Sequence, residues 1–173
     1  MDTTFLATLH QVFRERLTKP YQAGRPGARR LWQVGEELAK GIRTKVCGGG
    51  NINDNHWISY VVQVDSTRSE FLYGDSFGRD PINEVAAAFH WWITTHVKLD
   101  YHHGKLIISP QTDNHSCGVL SSNAVAHNVL PGSVALIDQK DADVARIELF
   151  VRVTKWDLES VCSICTSKCD LVF

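Results

Sequence analysis

The sequence predicts an α+β fold with a central antiparallel or mixed sheet and a buried helix packed on it. Three observations carry this. Residues 3–18 repeat apolar side chains at helical spacing. WISYVVQVD and EFLYGDS read as two strands joined by a short polar turn. The stretch from Cys117 to about Leu130 is apolar nearly all round, the pattern of a helix inside a core.

Taken in order, Phe5, Leu6, Leu9, Val12, Phe13 and Leu17 give the first helix its apolar stripe. Lys19–Ala28, with two Pro and two Gly, reads as a loop, and Arg29–Thr44 as a second helix. Cys47–Asn55 contains Gly48-Gly49-Gly50 and is expected to be a flexible loop at a cleft edge. In the first strand Ile58, Tyr60, Val62 and Val64 alternate with Ser59, Val61 and Gln63. Ser66–Ser69 turns the chain, and the return strand brings Asp75 back to the end that carries His56. Asp80-Pro81 predicts an N-cap and first residue for a helix buried through Ile82, Val85, Ala86, Phe89, Ile93 and Val97. Trp91-Trp92 should pack one inward and one partly outward. KLIIS, Lys105–Ser109, is expected to be a short strand. Pro131-Gly132 ends the buried helix, and one or two more helices are expected over Asp138–Cys169.

Length and composition bound the chemistry. The 173 residues suit one domain with a real core, and 43% hydrophobic with 21% charged content is that of a globular chain. A net charge of −1 gives no general attraction to nucleic acid or an anionic membrane. The first residues lack the basic start and continuous apolar run of a signal peptide, and no transmembrane stretch occurs. Five cysteines without such a signal argue against a disulfide scaffold and for a cytoplasmic or nuclear setting.

The chemistry concentrates where a polar loop, PQTDNHSCG, meets the buried helix. A helix start carries unpaired N–H groups and a partial positive charge, and both favour a thiolate nucleophile. Gly118 admits a close backbone approach. The N–H of Cys117 and the side-chain amide of Gln111 are candidate donors to an oxyanion. His56 is the candidate base and Asp75 its orienting group, so the suggested reaction is acyl transfer through a thioester. The competing reading is plainer: a packed cysteine and a structural His–Asp pair.

His56-Trp57, then Asp75-Ser76, then Gln111 with five residues before Cys117-Gly118, resembles the ubiquitin-like-specific proteases, the ULP/SENP cysteine peptidases of the adenain-like clan. The match spans roughly residues 51–131. The resemblance implies a papain-like fold over 1–173, with a helical part at 1–50, a catalytic core at 51–131 and C-terminal helices at 132–173. It implies Cys117 as nucleophile, His56 as base and acid, Asp75 as its orienter and Gln111 as oxyanion donor. Trp57 and Gly118 would bind substrate, with Trp57 covering a narrow channel for a Gly-Gly tail. No cofactor or metal is implied. The implied partners are ubiquitin or a ubiquitin-like modifier, such as SUMO or NEDD8, and its conjugates. Two alternatives stay open: a clan-related acetyltransferase and a non-catalytic modifier-binding module. The SUMO proteases usually carry Asp just before the cysteine, where this chain has Ser116, and Trp32 is only a loose match to their upstream Trp–Asp motif.

Other patterns are weaker. Cys162, Cys165 and Cys169 fit one helix face with Leu158 better than a zinc site with Cys47. His102-His103 and His115 lack supporting ligand spacing. The triple glycine lacks the Lys-Ser/Thr of a phosphate loop.

Overall fold

A computed structural model describes residues 4–53 and 55–152. The fold is α+β, as the sequence predicts. Four strands form one mixed sheet in the order β1-β2-β3-β4: β1 Lys45–Ile52, β2 His56–Val64, β3 Arg68–Gly74 and β4 Asp100–Lys105. β1–β2 and β2–β3 are antiparallel, and β3–β4 is parallel. The helices are α1 Thr4–Glu15, α2 Arg29–Ala39, α3 Asn83–His96 and α4 Cys117–Val129. A 3-10 turn, Gln139–Asp141, leads into helical residues 142–152.

The sheet is covered on both faces. Ile58, Tyr60, Val62, Phe71 and Tyr73 share one core with Phe5, Leu6 and Leu9 of α1, Leu31 of α2, and Phe89 and Trp92 of α3. On the opposite face Val61 packs with Ala124 of α4 and with Leu106. This explains why β2 is an almost unbroken apolar run: both sets of side chains leave water. Trp92 is fully buried and Trp91 half-buried, as the paired tryptophans imply.

Several expected elements are placed differently. The glycine run is strand β1, not a flexible loop. Gly48 stands opposite Tyr60 and Gly50 opposite Ile58. A Cβ on Gly50 would lie 2.2 Å from Leu6 Cδ2, and one on Gly48 2.7 Å from the Tyr60 hydroxyl. The glycines are there because α1 and Tyr60 occupy the space a side chain needs. α1 stops at Glu15, so Leu17 is 88% exposed and takes no part in the core. α2 stops at Ala39, short of Thr44, and the chain turns at Gly41 with φ +67°.

Asp80 does not cap α3. The helix starts at Asn83 behind Ile82 with no side-chain cap, and Asp80 lies 3.5 Å from Lys105. Ile82 is exposed, and the buried stripe is Val85, Ala88, Phe89, Trp92 and Ile93. The strand expected at KLIIS lies earlier, at Asp100–Lys105. α3 is the crossover that a parallel β4 requires, and only Leu106 of KLII extends the pairing, its N–H donating to the Tyr73 carbonyl at 2.8 Å. α4 is less enclosed than expected, with Val129 and Leu130 exposed. The expected helix beyond residue 152, and the Cys162, Cys165 and Cys169 face with it, lie outside the described residues.

The loop before α2 is pinned by an aromatic hub. The Tyr21 hydroxyl lies 2.9 Å from His96 Nε2 and accepts from Trp92 Nε1 at 3.2 Å. The Trp32 and Trp91 rings pack against the Tyr21 ring in tilted arrangements, at interplanar angles of 60° and 56°. Gly35 makes room for His96, whose ring would otherwise meet a Cβ at 2.3 Å.

Two predictions follow from this packing. Gly50→Ala forces Leu6 to move inside a filled core and should cost about 1–3 kcal/mol, read as a lower denaturant midpoint. Burial pushes the imidazoles of His10 and His96 below their usual range, against a weaker opposing pull from Glu84 and Glu36. Both are therefore neutral in the folded state where the unfolded chain, near 6.5, already takes up protons. The stability they contribute is full above that pH and lost as pH falls below it. The thermal midpoint should drop between about pH 7 and about pH 5.5, and a His10→Gln/His96→Gln double variant should show a shallower drop.

Candidate active site

The β2–β3 register sets the first pair. Ser59 faces Gly74, so the residues just beyond, His56 and Asp75, come to the same sheet end. His56 Nε2 lies 2.9 Å from Asp75 Oδ1. Both side chains are almost wholly buried. The same Asp75 oxygen accepts the Phe77 N–H at 2.8 Å, and the turn closes through Gly78 N–H to the Asp75 carbonyl at 2.8 Å. Gly78 has φ +73°, a conformation that favours glycine. Hydrogen bonding to Nε2 leaves Nδ1 as the ring nitrogen free for a reacting group. The Phe77 ring lies over His56 with centroids 5.0 Å apart, and the Arg79 guanidinium sits 4.7 Å from the Phe77 centroid.

Gln111 is tied to the residue after Asp75. Its N–H donates to the Ser76 carbonyl at 2.8 Å, and the Ser76 hydroxyl donates to Gln111 Oε1. The Gln111 amide donates to the Asp113 carbonyl at 2.8 Å. An NH₂ has two hydrogens, so one donor remains.

Cys117 is the first residue of α4, as the sequence predicts, and is 6% exposed. α4 lies against the start of β2: the Ser121 hydroxyl donates to the Trp57 carbonyl at 3.0 Å. A Cβ on Gly118 would meet Trp57 Cδ1 at 3.5 Å. Cys117 is thus held beside the His56 strand through its helix, by the Ser121–Trp57 bond and the packing of Gly118 on Trp57, whereas His56–Asp75 and Ser76–Gln111 bond to each other directly. The other described cysteine, Cys47, is half-buried on β1, where burial pushes its thiol up, away from a reactive thiolate.

Access is narrow. His56, Asp75, Gln111 and Cys117 are each between 5% and 6% exposed, with Trp57 half-buried beside them. A cleft of about 400 Å³ opens on the far side of Asp75-Ser76, against β4, and is lined by neither His56 nor Cys117. It shares Asp75 with the candidate site but does not reach the thiol. Among the described residues no cluster of His, Cys, Asp or Glu is arranged to hold a metal ion. Among them, too, no helix is long and apolar enough to cross a membrane.

No family model matches the chain, and no curated protein matches it. Solved structures do. The C-terminal Ulp1 protease domain, crystallised with Smt3, the yeast ortholog of SUMO, aligns at TM-score 0.50 and 16% identity over 84% of this chain and 72% of that one. Ulp1 with its catalytic cysteine oxidised to a sulfenic acid aligns at TM-score 0.52 and 17% identity, over 83% and 70%. The chain has the Ulp1 protease fold. An ASFV protease aligns at TM-score 0.46 and 15% identity, covering 57% of this chain and 40% of its own.

Within the Ulp1 fold the loop before Cys117 holds residues that motif reading passed over. Asp113 Oδ1 accepts the N–H groups of His115 and Ser116 at 2.9 and 2.8 Å, and its Oδ2 accepts the Ser116 hydroxyl at 2.5 Å. These donors hold the Asp113 carboxyl well below the usual carboxylate range, the Ser116 hydroxyl contributing most. The available signal was its spacing, an Asp three residues before a helix boundary in a polar run. Phe77 over His56 had no signal beyond its nearness to Asp75. Exposed His115 lies 3.7 Å from Asp113 Oδ2, and His102 and His103 sit on edge strand β4.

Proposed function

We propose that this chain is a cysteine peptidase that cleaves after the Gly-Gly tail of ubiquitin or a ubiquitin-like modifier, in precursors or isopeptide conjugates. The observation that carries it is the buried His56–Asp75 hydrogen bond at the sheet end against which the Cys117 helix packs. The fold it shares with Ulp1, a SUMO protease, supports the same reading.

In this mechanism Cys117 attacks the carbonyl of the terminal glycine. His56 accepts the thiol proton and returns it to the leaving amine, while Asp75 fixes the imidazole. The Cys117 N–H and the spare Gln111 hydrogen receive the developing negative charge. Water then hydrolyses the thioester, with His56 acting as base. The sealed approach suits the substrate: glycine residues need no side-chain space, so a thin tail can pass beside Trp57 and Gly118 where bulkier chains are excluded. SUMO, NEDD8 and ubiquitin are the candidate modifiers. The proposed setting is cytoplasmic or nuclear, and the roles need no cofactor.

The test is a panel of ubiquitin, SUMO and NEDD8 probes that end in a C-terminal electrophile. At least one should form an adduct mapped by mass spectrometry to Cys117. With the matching substrate, Cys117→Ala should abolish turnover, and Gln111→Ala should lower kcat on the order of 10²–10³-fold, since one donor remains. Labelling at Cys47 or Cys162 instead, or silence toward every probe, would remove the proposal.

A further inference from the structure

The loop 111–116 is held from outside by the segment that follows α4. Gln139 Nε2 donates to Asp113 Oδ2 at 3.0 Å, and Gln139 Oε1 accepts from the Thr112 N–H and hydroxyl at 2.6 and 3.0 Å. One amide side chain therefore joins two neighbouring loop residues, using its donor and its acceptor at once. Arg146 adds a bond to the His115 carbonyl at 3.2 Å. Inside the loop Asp113 grips both ends: Gln111 through its carbonyl, and Ser116 through its carboxylate.

This arrangement bears on the start of α4. No side-chain cap closes that helix, because the Ser116 hydroxyl is turned back to Asp113. Asp113 meets the N–H groups of His115 and Ser116, just before the helix, and leaves the first-turn pole to face the reacting carbonyl. The same bonds fix the side chain of Gln111, whose orientation decides whether its spare hydrogen reaches an oxyanion. Oxyanion donors act only when held in place before the charge forms.

We propose that Asp113 and Gln139 are positioning residues for the oxyanion site. Asp113 ties Gln111 to the start of α4, and Gln139 locks Asp113 from the segment after the helix. Neither touches the reacting atoms. The inference rests on the peptidase reading above for its effect on rate, but its structural core is independent of any substrate.

Two measurements on the full chain separate these. The first is the Gln111 side-chain amide signal in ¹⁵N NMR, assigned with Gln111→Ala. Gln139→Ala should shift it and quicken its hydrogen exchange, whereas Lys140→Ala, at an exposed neighbour, should not. The second is kcat and KM on the modifier substrate found with the probes. Gln139→Ala should lower kcat between about tenfold and about a hundredfold with KM and thermal midpoint unchanged. Gln139→Glu should be worse, because it sets a second carboxylate against Asp113, and Asp113→Asn, which keeps a side-chain oxygen to accept from His115 and Ser116, should be milder than Asp113→Ala. An unmoved Gln111 signal in Gln139→Ala overturns the inference whatever the turnover. So does a kcat loss matched by an equal loss of thermal stability, which marks a merely structural contact. A moved Gln111 signal in a protein that no modifier probe labels supports the brace and removes the peptidase reading.

Discussion

The hydrogen bond between His56 and Asp75 is the constraint around which the site is built. It exists only because β2 and β3 pair in one register. A slip of one residue would send His56 and Asp75 to opposite faces of the sheet. That register is held by burial on both faces of β2, so every core side chain from Ile58 to Val62 acts as insurance for the pair. The pair is itself buried, and a carboxylate without its partner there would carry an uncompensated desolvation cost. In the turn beyond it the Phe77 N–H donates to the same Asp75 carboxylate oxygen that faces His56, and the Gly78 N–H closes the turn on the Asp75 backbone carbonyl.

From that point the architecture works outward by packing. α4 covers the face of the sheet opposite α1 and α3, and its first turn abuts Trp57, one residue from His56. Ser76, one residue from Asp75, holds Gln111. The four candidate groups thus sit at two adjacent pairs on the strands and at the two ends of one loop. Small displacements of any support would be felt at the thiol, since a close-packed interior transmits strain.

The parts legible in the sequence were those whose local pattern and tertiary fate agree. The β2–β3 hairpin alternates and is short-turned; the α4 run is apolar, follows a polar loop and ends at Pro131-Gly132. From these the His56–Asp75 approach and the position of Cys117 at a helix start could be read. Illegible were the elements decided by distant neighbours. Gly48 and Gly50 look like loop residues, yet they are strand residues because Leu6 and Tyr60 fill the space above them. β4 reads as polar, DYHHGK, because it is a solvent-facing edge, while the more apolar KLII beside it is mostly outside the sheet. Asp80 had the chemistry of a cap but lies two residues before the capping position, Ile82. Asp113 and Gln139 are 26 positions apart, and nothing local relates them.

The departure at Ser116 also reads differently in three dimensions. The carboxylate that the SUMO proteases carry just before the cysteine is absent from the chain at that position, but one reaches the same residue from Asp113.

The most direct test of the account is a double-mutant cycle on His56 and Asp75, read as the rate at which the best modifier probe acylates Cys117. If Asp75 acts only by holding the imidazole, the His56→Ala/Asp75→Ala protein should react as slowly as His56→Ala alone, with the two effects strongly non-additive. A double variant slowed by the product of the two single effects, or a His56→Ala protein that keeps most of the wild-type rate, would contradict the account.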